Sequence, residues 1–248
     1  MDTNKKIIKS FKVQDELNPI FWNEEEGTFK LNEEIRQALL KVVEDYADFV
    51  DVELDIEDIT LTGSLSNYNW SDFSDVDLHI IMDFDGNTSS LLKKYLDSRR
   101  IIWNSIRDVT AKDFDVEIYV QDSSEPHFAS GVYSVLNDEW INEPTKEGDV
   151  EIDTEKVLSK SKNFMEKIDT IERAAQKEEP EVVLDKIARL KNKLKKYRGS
   201  GLANKGEYSY ENLSFKFLRR NEYLKKLNDI KNELIDQTLT IEGKVSSI

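Results

Sequence analysis

The sequence predicts an α+β fold: a mixed β-sheet with flanking helices, followed by a C-terminal helical domain. Two observations carry this. Apolar runs with strand character at 56–61, 76–82 and 114–121 are separated by stretches with helical spacing. After Pro144 the strand signals stop and the apolar pattern takes the helical period. The expected division is a sheet-bearing domain at 20–145 and a helical domain at 150–242.

Each element has its own local reason. Glu24, Glu25 and Glu26 read as a solvated loop. Asn32 followed by Glu33 and Glu34 reads as an N-cap with acidic first-turn residues. Ile35, Leu39, Val42, Tyr46 and Phe49 then recur at helical spacing, giving an amphipathic helix to Val50. The strand at 56–61 ends on Thr62-Gly63-Ser64, and 65–74 is polar and turn-rich. A strong strand follows at 76–82, then a helix at 91–109, a strand at 114–121 and a fourth at 131–136. In the second half a helix spans 154–175, and Pro180 opens another. Its apolar residues Val183, Ile187, Leu190, Leu194 and Tyr197 lead to Arg198, where Gly199-Ser200-Gly201 is expected to break it. A last long helix starts near Tyr210, with Leu213, Phe217, Leu224, Leu227, Ile230 and Leu234 on one face.

Composition excludes several chemistries. With no cysteine there is neither a disulfide framework nor a thiolate metal site, and His79 and His127 alone cannot build a histidine-rich zinc centre. No apolar run reaches the length of a membrane span, and the first ten residues lack a signal-peptide core. The expectation is a protein of the cytoplasm (of a host cytoplasm, if viral). The net charge of −15 argues against general nucleic-acid binding. The charge is uneven, however. Between Lys186 and Lys226, 13 Lys/Arg face only Glu207, Glu211 and Glu222, a net of +10, which leaves −25 on the remainder.

The chemistry is concentrated in Leu61-Thr62-Gly63-Ser64, ten further residues, then Asp75-Val76-Asp77-Leu78. Alternate residues of a strand share a face, so Asp75 and Asp77 project together, about 7 Å apart along the backbone. Two such carboxylates suit a hard cation that takes oxygen ligands, and their like charges favour one. A glycine after the preceding strand lets the backbone approach a phosphate, and the serine can donate to it. Phosphate donors beside metal carboxylates are what in-line phosphoryl or nucleotidyl transfer requires.

This hydrophobic-Gly-Ser, ten-residue gap, Asp-hydrophobic-Asp-hydrophobic pattern resembles the signature of the polymerase-β-like nucleotidyltransferase superfamily. The run 61–84 (LTGSLSNYNWSDFSDVDLHIIMDF) is similar to phage-type nucleotidyltransferase-like proteins, and a looser resemblance continues through 116–121 and 210–227. The resemblance implies a nucleotidyltransferase-type sheet and a third carboxylate on a neighbouring strand between apolar residues. Glu117, between Val116 and Ile118, fits that place; Asp115, on the same strand face, is the alternative. It also implies two Mg2+ ions, replaceable by Mn2+, bridged by Asp75 and Asp77, and a nucleoside triphosphate such as ATP bound between the two halves. Gly63 and Ser64 would hold its β and γ phosphates. A nucleotidyl group would pass to an acceptor hydroxyl on a small molecule, a protein or a tRNA end, releasing pyrophosphate. A catalytically silent nucleotide-binding protein, and a toxin or defence factor acting on tRNA or protein, are the alternatives.

Other residues support this with plainer readings beside them. His79 continues the Asp75 and Asp77 face, as ligand, base or pocket wall. Asn67, Tyr68, Asn69 and Trp70 lie in the intervening loop, placed either for the sugar and base or for packing. Lys216, Arg219, Arg220 and Tyr223 follow one helical face that would hold the triphosphate tail, or would be a solvated basic face. Lys193, Lys196 and Arg198 offer the same chemistry on the preceding helix.

Overall fold

In the computed structural model, residues 3–84, 89–126, 129–146, 148 and 150–240 are described; His127 and the end of the expected helical domain lie outside them. The chain divides into two compact units, one of Lys12–Asp149 and one of Met1–Phe11 with Val150–Ile248. The first is α+β and the second is helical.

The α+β unit contains β1 (Trp22–Glu25), β2 (Thr28–Leu31), α2 (Glu33–Val50), β3 (Ile56–Thr62), β4 (Val76–Met82), α3 (Ser89–Ile106), β5 (Thr110–Ala111), β6 (Phe114–Asp122), β7 (Val132–Ser134) and β8 (Glu139–Asn142). The label α1 is kept for Thr3–Lys9 of the helical unit. Six strands form one mixed sheet in the order β5-β6-β4-β3-β7-β8. Within it β4 runs antiparallel to β3 and parallel to β6.

Along β6, and along β4 as far as Ile80, burial alternates. Val76, Leu78, Val116, Ile118 and Val120 are buried, while Asp77, His79, Glu117, Tyr119 and Gln121 between them are half-buried. The buried set joins Ile35, Leu39, Val43 and Tyr46 of α2 and Leu96 and Trp103 of α3 in one core. Each large aliphatic side chain buried there contributes about 1.5–3 kcal/mol. The period of two thus separates an apolar face from a polar one. Asn32 caps α2 as its residue type suggests, its Oδ1 accepting from Glu34 N at 3.0 Å. On the outer edge of β6, where β5 is too short to pair, α3 supplies the partners. Asn104 accepts from Ile118 N and donates to Ile118 O, and Lys93 donates to Val120 O.

The Glu24–Glu26 region departs from expectation. Glu24 and Glu25 lie on β1, paired with Phe29 and Thr28. Glu26 and Gly27 form the connecting turn with φ of 51° and 85°, the double positive φ of a tight hairpin. Trp22 anchors this hairpin by stacking on Trp140 and by donating from Nε1 to Leu65 O at 2.7 Å.

The helical unit comprises α1, α4 (Thr154–Ala175), α5 (Pro180–Lys205), α6 (Tyr210–Arg220) and α7 (Tyr223–Leu239). Phe164, Ile168, Val183, Ile187, Leu194, Leu218, Leu227 and Leu234 are among its core residues. Two expectations fail here. Helix α5 runs through Gly199-Ser200-Gly201 instead of breaking. A Cβ on Gly201 would meet Glu211 Cβ at 2.5 Å and Ser209 Oγ at 2.7 Å, so this glycine admits the start of α6 against the helix. The last helix is interrupted at Asn221 and Glu222, the latter left-handed at φ 60°. Tyr223 consequently begins α7 and does not continue the face of Lys216, Arg219 and Arg220. Among the described residues no helix is long and apolar enough to cross a membrane.

Candidate active site

Three strands meet at the polar face of the sheet. Register sets Thr62 of β3 and Glu117 of β6 on either side of Asp77 in β4. Residues paired across strands point to the same side, so Asp77 and Glu117 project together. Asp75 precedes β4 and keeps its parity. Each of Asp75, Asp77 and Glu117 offers a carboxylate oxygen, and these atoms all lie within 4.8 Å of one another. All three residues are half-buried. Among the described residues Asp115 is not part of this group; it is exposed, opposite Thr110 of β5.

At that separation two like charges repel by on the order of 3 kcal/mol in a medium of effective dielectric near 20, before solvent screening. A divalent cation relieves the repulsion, and three carboxylates are a donor set for a hard ion such as Mg2+ or Mn2+. The residues present therefore fit the metal that the sequence pattern implies.

Gly63 closes the site from the β3 side. Its φ of 79° and ψ of −158° belong to a region that only glycine enters readily. A Cβ here would lie 1.9 Å from Asp77 Oδ2. Glycine at this position therefore makes room for the Asp77 carboxylate itself, a reason beyond approach to a phosphate. Ser64 follows in a single 3-10 turn, Ser64–Ser66. Its hydroxyl bonds the hydroxyl of Ser74 at 2.8 Å, and Ser74 Oγ also accepts from Ser71 N at 3.0 Å. Either hydroxyl of the pair can supply the shared proton. When Ser74 does so, the Ser64 proton can be donated outward.

On the β6 side Tyr119 donates to Glu117 Oε2 at 2.5 Å. Burial first, then the bonded Glu117 and the charges of Asp77 and Asp75, hold this phenol protonated far above the ordinary tyrosine range. The Tyr119 ring stacks on His79, centroids 5.0 Å apart, and the Arg100 guanidinium lies 5.2 Å from its centroid. His79 Nδ1 is 2.8 Å from Gln121 Oε1. In the loop before β4, Asn67 bonds Ser130 and the Trp70 indole donates to Glu16 O at 2.9 Å. Both side chains thus have packing partners within their own unit.

Lys216, Arg219 and Arg220 lie on α6 of the helical unit. Burial pulls the Lys216 ammonium down to about 8; Glu207 opposes this, and Arg220, Arg219 and Arg198 reinforce it. Arg219 is exposed. Arg220 donates to Ser10 Oγ at 2.7 Å and lies 4.9 Å from the Phe11 ring centroid, tying α6 to the residues after α1.

Comparison with known proteins adds little to this geometry. No protein-family model matches the chain, and no curated protein matches it. Among solved structures, a STING-associated CdnE c-di-GMP synthase from Capnocytophaga granulosa is similar over 84% of each chain, at 14% identity and a TM-score of 0.24. At that score the chemistry rests on the residues themselves.

Two of those residues have no counterpart in the sequence reading. Ser74 adjoins Asp75, and its only sequence signal is a place in the turn-rich run. Tyr119 shares the strand face of Glu117, a parity visible in the sequence although its hydrogen bond is not.

Proposed function

We propose that this chain is a metal-dependent nucleotidyltransferase that moves a nucleotidyl group from a nucleoside triphosphate to an acceptor hydroxyl. The supporting observation is the convergence of Asp75, Asp77 and Glu117 within 4.8 Å, with the Gly63 turn closed against Asp77. Carboxylates that can hold divalent cations beside a glycine turn suit in-line displacement at phosphorus.

Divalent cations held by the three carboxylates would neutralise the triphosphate and stabilise charge building on the leaving oxygen. Asp77 of β4 and Asp75 just before it would hold them from one side. Glu117, from the neighbouring strand, would complete the site by ligating a cation or orienting the acceptor hydroxyl. The backbone and hydroxyl of the Gly63-Ser64 turn would donate to the outer phosphates. The acceptor oxygen bonds to the α-phosphorus while the bond from that phosphorus to the bridging oxygen breaks. Pyrophosphate leaves, and the acceptor proton passes to a carboxylate or to water. The acceptor is a small molecule, a protein or an RNA end.

Calorimetric titration with a non-hydrolysable nucleoside triphosphate in Mg2+ or Mn2+ tests the binding step. Wild type is expected to show saturable, metal-dependent binding that Asp75→Ala with Asp77→Ala removes. Absence of nucleotide binding with either metal would overturn the reading.

A further inference from the structure

We infer that Tyr119 is the positioning residue of the third carboxylate, fixing how Glu117 is presented to a bound cation. The inference rests on the metal reading above and adds a residue to it. A glutamate has one more rotatable bond than an aspartate and reaches its ligand with less inherent definition. The last torsion of Glu117 is a side-chain freedom that strand pairing does not set. The Tyr119 hydroxyl does so by donating to Oε2 at 2.5 Å, a short bond of the charge-assisted kind. That contact takes one lone-pair position of Oε2 and sets the plane of the carboxylate. It favours ligation through a single oxygen over a bidentate grip.

The phenol is itself held. Its ring stacks on His79 at 5.0 Å and 28°, and His79 is fixed by Gln121 at 2.8 Å. The Arg100 guanidinium of α3 lies 5.2 Å from its centroid. The residues involved alternate along two adjacent strands, Glu117, Tyr119 and Gln121 on β6 with His79 on β4. Register pairs His79 with Tyr119 and Asp77 with Glu117. The polar face is therefore a row of ligands backed by a row of supports. Such outer partners set the orientation and basicity of the ligands they bond.

Tyr119→Phe removes the hydroxyl and keeps the ring. Mn2+ binding, followed by electron paramagnetic resonance of the free ion, is expected to weaken about tenfold or more. The melting midpoint without metal is expected to stay close to wild type. The variant is also made in a Glu117→Gln background, where a positioning role predicts little further loss of affinity. That comparison separates positioning from any general loosening of the sheet, which would weaken binding in both backgrounds. Unchanged Mn2+ affinity in Tyr119→Phe, or an equal loss in both backgrounds, overturns the inference and leaves the metal reading standing. A wild type that binds no Mn2+ overturns the metal reading, and the inference with it.

Discussion

A methyl group at position 63 would sit 1.9 Å from Asp77 Oδ2, on a backbone already at φ 79°. Gly63→Ala therefore meets two obstacles at once, a conformation costing roughly 1–3 kcal/mol for any other residue and a clash with the carboxylate proposed to hold metal. The expected outcome is a folded protein of modestly lower stability in urea whose Mn2+ affinity falls about tenfold or more. Unchanged affinity would show that Asp77 does not need its observed position. Much at this scale is legible in the sequence. Asp75 and Asp77 can be picked out because a strand's period of two places them together and their apolar neighbours declare which face is buried. Glu117 is expected only through the family resemblance, since the same parity admits Asp115 as well. The bond from Tyr119 to Glu117 is not legible, because it depends on side-chain rotamers that no spacing encodes. The reason for Gly63 is only half legible. A turn glycine can be read from sequence, whereas the carboxylate it accommodates lies on another strand.

Elements show the same division between local and tertiary causes. The strand 114–121 is readable because its alternation is uninterrupted, 76–82 because it alternates to Ile80 and stays apolar through Met82, and α4 because its apolar spacing is regular. Helix α5 misleads because two glycines in three residues normally end a helix. Here the two differ in kind. A Cβ at Gly199 would meet nothing within 4 Å, whereas one at Gly201 would strike Ser209 and Glu211. Gly199→Ala is accordingly expected to stabilise the helical unit by about 0.5–1 kcal/mol, and Gly201→Ala to destabilise it despite the same gain in helix propensity. Urea unfolding followed by circular dichroism reads both. Stabilisation by Gly201→Ala would mean that α6 does not pack against Gly201 as observed. The break between α6 and α7 is hidden for a related reason. Phe217 and Leu224 are seven residues apart, which is two helical turns, so the apolar pattern passes over Glu222 without a gap. The β1–β2 hairpin is missed because Glu26-Gly27 is not among the usual turn pairs and the acidic run resembles a solvated loop.

Over the whole molecule, the acidic and basic regions belong to different units. The carboxylate group lies in the sheet-bearing unit, and the cation-rich stretch 186–226 lies in α5, α6 and α7. The change of period after Pro144 is readable from sequence. The grouping of residues 1–11 with the helical unit is not, since a seven-residue helix leaves no periodic signal. What ties it there is the burial of Ile7 and the Arg220 contacts with Ser10 and Phe11. Nor does the sheet specify the acceptor, because the proposed metal carboxylates and Gly63-Ser64 turn would recognise what is transferred and not what receives it. The most direct measurement incubates the protein with each α-labelled nucleoside triphosphate, Mg2+ and a cell extract, and follows both the label and pyrophosphate. Wild type is predicted to move label into one acceptor class with pyrophosphate released, and Asp75→Ala with Asp77→Ala to abolish both. Transfer undiminished in that double variant, or label that never leaves the nucleotide pool with wild type, would contradict the assignment.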